Sequence, residues 1–111
     1  LSMLIKVNRL EGRALWDSGS TSMLMFPAFA SIAKAITFQL VQPITLQLGT
    51  IESRSKINHR TNCFLEMSGC KSQEYFDVVN LDQYDLLIGT PFMHKHRVIL
   101  DFGQKCIIIN G

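Results

Sequence analysis

Asp17-Ser18-Gly19-Ser20 is the stretch of this chain whose residue types and order point to bond-breaking chemistry. A carboxylate followed by a small hydroxyl residue and a glycine forms a turn. Because glycine has no side chain, backbone N–H groups can come close to the carboxylate oxygens there. The Ser18 hydroxyl can add a supporting hydrogen bond. A carboxylate held this way is equipped to act as a general base or a general acid. A turn-forming or capping aspartate produces the same triplet, so local sequence leaves both readings open.

The other reactive side chains form weaker patterns. His59, His94 and His96 have no carboxylate or cysteine at ligand-like spacing, so they read as surface or helix-end residues and no metal site is assigned. Cys63, Cys70 and Cys106 are odd in number and lack a Cys-x-x-Cys spacing, which argues against a disulfide framework or a zinc site and for a reducing, intracellular setting. With no Cys-His pair close in sequence, Cys63 and Cys70 read as packed thiols rather than nucleophiles. Arg54 and Lys56 suit a substrate contact and a solvated face equally well. No cofactor is expected.

The elements around the triplet follow from periodicity and turn chemistry. Met3 to Val7 and Ala14 to Trp16 read as strands separated by the polar stretch Asn8 to Arg13, and the second strand delivers Asp17 to a loop. Pro27 to Lys34 reads as a short helix with proline in its first turn. Ile44 to Gly49 alternates strictly and reads as a strand with one buried face, whereas Thr50 to Asn62 is polar apart from Ile51 and Ile57 and reads as an exposed hairpin. Cys63 to Met67 and Glu74 to Val79 flank a Ser68-Gly69 turn signal. A two-residue turn there sets Met67 opposite Cys70 and Cys63 opposite Glu74. Asp85 to Gly89 is an apolar strand ended by glycine; Thr90 as cap and Pro91 in the first turn then open a second short helix. Val98 to Phe102 and Cys106 to Ile109 read as two strands across a Gly103-Gln104 turn. Many short strands with two short helices make an all-β domain, a small barrel or folded sheet.

Bulk properties agree with one domain spanning residues 1–111. Hydrophobic residues make up 47% of the 111 and charged residues 18%, with a mean hydropathy of +0.16, enough apolar surface to build a core. The net charge of +2 is too weak to mark a nucleic-acid binder, so no nucleic-acid partner is expected. No apolar run nears the roughly 18 residues that span a bilayer, so no membrane partner is expected either. A start at Leu1 rather than Met suggests a segment of a longer protein.

Asp17-Ser18-Gly19-Ser20, followed in the second half by Leu87-Ile88-Gly89 and a short helix, resembles the retropepsins, the aspartic proteases of retroviruses and long-terminal-repeat retrotransposons. The resemblance runs along nearly the whole chain. It is strongest to gypsy-type retrotransposon proteases, through Leu87-Ile88-Gly89-Thr90-Pro91-Phe92-Met93 and Val98-Ile99-Leu100-Asp101-Phe102. It implies a small acid-protease barrel with Asp17 as the catalytic carboxylate and Ser18, Gly19 and Ser20 as its supporting loop. It implies a flap hairpin over Ile44 to Asn58, with Gly49, Thr50, Ile51, Glu52, Ser53 and Arg54 at the substrate side. Leu87, Ile88 and Gly89 would form the strand crossing behind the catalytic loop. Flaps of the family usually carry glycine at the tip, whereas this one has Glu52-Ser53-Arg54 there. The interface strand common before the first hairpin is also not seen.

Peptide hydrolysis by this chemistry uses two carboxylates that share a proton, one activating water while the other protonates the carbonyl oxygen. The chain contains a single Asp-[Ser/Thr]-Gly triplet, and Asp101-Phe102-Gly103 is not a second one. The second carboxylate is therefore expected from Asp17 of an identical chain across a two-fold axis. The expected partners are a second copy and an extended peptide or polyprotein, which the enzyme would cut. The alternative is an inactive or domesticated module that holds peptides, or dimerises, without cutting.

Overall fold

The computed structural model describes residues 1–47, 54–67, 69–80 and 84–109. Alternation governs the first hairpin, in which β1 (Ser2–Val7) and β2 (Leu10–Trp16) pair antiparallel and bury Ile5, Val7, Ala14 and Trp16 on one face. The turn between them is only Asn8-Arg9, with φ of 48° and 72°, the two left-handed residues of a tight hairpin turn. Leu10 to Arg13, expected as part of the connection, therefore belongs to β2. Glycine misled the reading there: Gly12 occupies an inward strand position where a Cβ would lie 2.5 Å from the Phe29 ring.

The following elements are β3 (Leu24–Met25), α1 (Pro27–Ile32), β4 (Thr37–Gln47), β5 (Arg54–Met67), β6 (Cys70–Val78), β7 (Leu86–Ile88), α2 (Thr90–Lys95), β8 (Ile99–Asp101) and β9 (Cys106–Ile108). The main sheet runs β1-β2-β7-β3-β6-β5-β4, and β5 also pairs with β1 through Lys6↔Glu66 and Val7↔Leu65. That second pairing closes six strands into a barrel and leaves β4 outside it as an edge. The β2–β7 and β3–β6 pairs are parallel, while β8 and β9 form a small sheet of their own. The core between them includes Trp16, Met25, Phe76, Leu86, Ile88 and Phe92.

The β5–β6 hairpin has the expected register, Met67↔Cys70 and Cys63↔Glu74, with Gly69 at φ 78°. Residues 54–62, expected as an exposed hairpin, instead form the first half of β5, with Ile57 only 1% exposed and Thr61 fully buried. One of these inward positions is a threonine, whose hydroxyl donates to the Ile36 carbonyl at 2.6 Å, so the strand carries little apolar periodicity. Pairing with β4 is broken between Gln39 and Ile44, the stretch that holds Pro43, a residue unable to donate to a ladder. Both helices end on a basic residue in left-handed backbone, Lys34 at 56° and Arg97 at 51°. A bond from the next residue back to the last turn closes each: Ala35 N–H to Ala30 O at 2.9 Å and Val98 N–H to Met93 O at 2.9 Å. Thr90 does not cap α2; Gly89 holds the cap position and Thr90 is already helical.

Candidate active site

β2 ends at Trp16, which lies in register with Ile88 of the parallel strand β7. The backbone N–H of Asp17 donates to the Ile88 carbonyl at 3.0 Å, fixing where the chain leaves the sheet. The chain then turns at once: Ser20 N–H donates to the Asp17 carbonyl at 3.2 Å, and Gly19 N–H donates to Asp17 Oδ1 at 2.9 Å. One carboxylate oxygen is thereby oriented by the loop's own backbone. Asp17 is half-buried, with Ser18 and Gly19 exposed beside it.

The hydroxyl that ties this loop together belongs to Ser20, not Ser18. Ser20 Oγ donates to the Ser22 carbonyl at 3.2 Å and accepts from Ser22 N–H at 3.1 Å. The loop is locked from the other side by residues 88–90. Thr90 N–H donates to the Ser20 carbonyl at 2.8 Å, and Gly89 N–H points to Met23 Sδ at 3.3 Å. A Cβ on Gly89 would lie 2.3 Å from the Ser22 carbonyl oxygen and 2.7 Å from that of Ser20, so only glycine lets the two backbones approach this closely. Below them, the rings of Trp16 and Phe92 meet edge to face at 5.6 Å.

Sequence reasoning singled out Asp17, Gly19, Ile88 and Gly89, and the fold brings these together. It missed Ser22 and Met23 and read Thr90 as a helix cap rather than a partner of the loop, because their contributions are backbone groups and a sulfur. The hairpin base runs from Ile44↔Ile57 to Gln47↔Arg54, while Gly49, Thr50, Ile51, Glu52 and Ser53 lie outside the described residues. The other described aspartates are engaged elsewhere: Asp77 accepts from Tyr75, Asp85 from Arg13 N–H and Asp101 from Gln104 N–H. The site thus holds one carboxylate per chain among the described residues.

His59 and His94 are exposed, His96 caps the end of α2 and Cys63 is a packed thiol, as the sequence reads; Cys70 departs from its reading by lying beside a histidine. His96 Nε2 lies 3.1 Å from Glu74 Oε2, and its Nδ1 lies 3.9 Å from Cys70 Sγ, a grouping invisible in sequence because it joins α2 to the start of β6. Burial raises the Glu74 carboxyl, but hydrogen bonds from His96, Lys95 and Ser72 outweigh it and hold the group below its ordinary value. Burial pushes the Cys63 thiol up.

A closed six-strand barrel whose Asp-Ser-Gly loop is interlocked with an apolar strand and its glycine is a retroviral-type protease fold. The profile of the PEG10/RTL1 protease domain matches residues 13–111, and the chain belongs to that family. The retroviral protease-like domain of Ddi1 from Leishmania major superposes with a TM-score of 0.76 at 20% identity, covering 100% of this chain and 88% of that one. The EIAV protease, solved with the inhibitor HBY-793, gives 0.68 at 12% identity, covering 86% of each chain. The simian foamy virus (mac) protease in solution gives 0.55 at 16% identity, covering 85% of this chain and 92% of that one. No curated protein matches the chain.

Proposed function

We propose that the chain is an aspartic endopeptidase, active as a homodimer with one Asp17 per subunit, that processes a retrotransposon polyprotein. The observation that carries this reading is the position of Asp17, alone on a loop locked by its own backbone and by Gly89–Thr90. The chemistry needs two carboxylates facing each other, and a two-fold axis beside the loop supplies the second. One then takes a proton from water while its protonated partner donates to the scissile carbonyl oxygen. Exposed Ile99, Phe102 and Ile108 around β8 and β9 offer that second copy an apolar surface. A reducing compartment suits the three free cysteines.

The test is cleavage of extended, largely apolar peptides at about pH 5 and about pH 7, with Asp17→Asn as control and sedimentation alongside. Cleavage that Asp17→Asn abolishes while the variant stays folded, and that a hydroxyl-bearing transition-state mimic inhibits, supports the proposal. Dimers that never cleave would favour the peptide-holding module. A variant as active as wild type would remove Asp17 from the chemistry.

A further inference from the structure

Cys70, His96 and Glu74 stand in a line outside the Asp17 site, and their order is that of an activated thiol. Glu74 is 8% exposed and, as an ionised carboxylate, has only acceptor oxygens to offer. His96 Nε2 at 3.1 Å must therefore carry the hydrogen of their bond, so in the imidazole form Nδ1 is the acceptor that faces Cys70 Sγ, 3.9 Å away. Glu74 is held in turn by Ser72 Oγ at 2.8 Å and Lys95 Nζ at 3.0 Å. The His96 ring is packed on Phe92 with centroids 4.3 Å apart, so the imidazole is positioned from both sides. The charged and titratable groups around Cys70 among the described residues are His96 at the end of α2, Lys95 in its last turn, Glu74 and the adjacent Lys71 from its own strand, and Glu66, which faces Lys71 from β5; the residue opposite Cys70 on β5 is the apolar Met67. Cys63 differs, being 1% exposed and bonded, among the described residues, to Thr61 and Asn8.

We propose that Cys70 is a reactive thiol that exchanges with low-molecular-weight disulfides, with His96 as its base and Glu74 as the residue that positions His96. In this step the Cys70 thiol proton passes to His96 Nδ1 and the sulfur attacks one sulfur of the disulfide. The S–S bond of the small molecule breaks, and its second half leaves as a thiolate that takes the proton back from His96. The products are a mixed disulfide on Cys70 and one free small thiol. Cys70 is partly exposed at the mouth of the β5–β6 turn, where such a molecule can reach it. Disulfide exchange at Cys70 is independent of peptide hydrolysis, and it can be measured without a cleavage assay.

The experiment is incubation of the folded chain with oxidised glutathione and measurement of the adduct at each cysteine by peptide mass mapping. Cys106, also partly exposed but with no histidine partner among the described contacts, serves as the internal reference, at dilutions where sedimentation shows the monomer, because β9 borders the surface proposed to meet a second copy. At about pH 7, Cys70 reacts roughly tenfold faster than Cys106, and His96→Gln removes most of that advantage without changing the rate at Cys106. Above about pH 9, where an ordinary thiol ionises unaided, wild type and His96→Gln converge at Cys70. Should His96→Gln not fold, the wild-type pH profile decides: Cys70 keeps its rate from about pH 8.5 to pH 7, whereas the rate at Cys106 falls roughly tenfold or more. Equal rates at the two cysteines, parallel pH profiles, or a His96→Gln deficit that persists at high pH would overturn the proposal.

Discussion

Replacing Gly89 by alanine adds one methyl group at the point where two backbone segments meet. Gly89 has φ −104° and ψ −165°, extended backbone that alanine adopts freely, so the effect is one of contact alone. The new Cβ would stand 2.3 Å from the Ser22 oxygen and 2.7 Å from the Ser20 oxygen, where ordinary contact begins at 3.4 Å. Both atoms are backbone, so no rotamer change relieves the clash, and the 17–22 loop and residues 88–90 must separate by about 1 Å. That separation stretches the Thr90 N–H to Ser20 O bond of 2.8 Å. Overpacking of this kind costs about 1–3 kcal/mol and a lost hydrogen bond about 0.5–1.5 kcal/mol, so Gly89→Ala should lower stability by about 2–4 kcal/mol. The displaced element carries Asp17, and a shift of that size costs about a hundredfold in turnover where geometry controls the reaction. Urea denaturation measures the first quantity and peptide cleavage the second. Gly103→Ala is the control, because its Cβ meets only Asp101 Oδ1 at 3.4 Å and should change stability by no more than about 0.5 kcal/mol. If Gly89→Ala unfolds at the wild-type urea midpoint and cleaves normally, the two loops are not interlocked as described.

Gly12→Ala should cost about 1–3 kcal/mol by displacing the Phe29 ring while leaving cleavage intact, because its neighbour is a side chain on α1 rather than the Asp17 loop. The lowered Glu74 carboxyl contributes stability that is present above its ordinary value of 4.5 and lost as pH falls through the folded value. Urea midpoints measured downward from about pH 6 should therefore decline less steeply in Glu74→Gln than in wild type. Tyr75 is pushed up to about 12 by desolvation and by the hydrogen bond it donates to Asp77 Oδ1 at 2.6 Å. Ultraviolet titration should find this tyrosine ionising at lower pH in Asp77→Ala. Arg97→Gly should raise stability by up to about 1 kcal/mol, since glycine occupies the left-handed position without side-chain strain; a loss would mean that the Arg97 side chain holds the end of α2.

What could be seen in the sequence was what is local. The strand into Asp17, the short helices opened by Pro27 and Pro91, and the Met67↔Cys70 turn each depend on neighbours a few residues away. Glycine was read by its commonest use, which placed Gly12 in a turn when it lies in a strand under an aromatic ring. The first half of β5 was missed because its buried positions include Thr61, whose polarity is satisfied by a carbonyl that the sequence cannot place. The Asp17 loop was found from its triplet, but what locks it comes from residues 88–90, through contacts that have no period or spacing to read. Cys70 and His96 lie 26 residues apart, and the fold alone makes them neighbours.

The pairing of β2 with β7 also sets a schedule. Strand β2 is among the first parts of this domain to be synthesised and β7 among the last, yet the Asp17 N–H is held by the Ile88 carbonyl and the Ser20 carbonyl by Thr90 N–H. Local hairpins such as β1–β2 and β5–β6 can form during synthesis, whereas parallel pairing across most of the domain must wait for both partners and for the closure of a long loop. The Asp17 carboxylate is thus made early and secured late. A nascent chain that ends after residue 19 but before residue 90 carries the Asp-Ser-Gly triplet without its lock, so translation itself delays the moment at which this domain can first assemble its site.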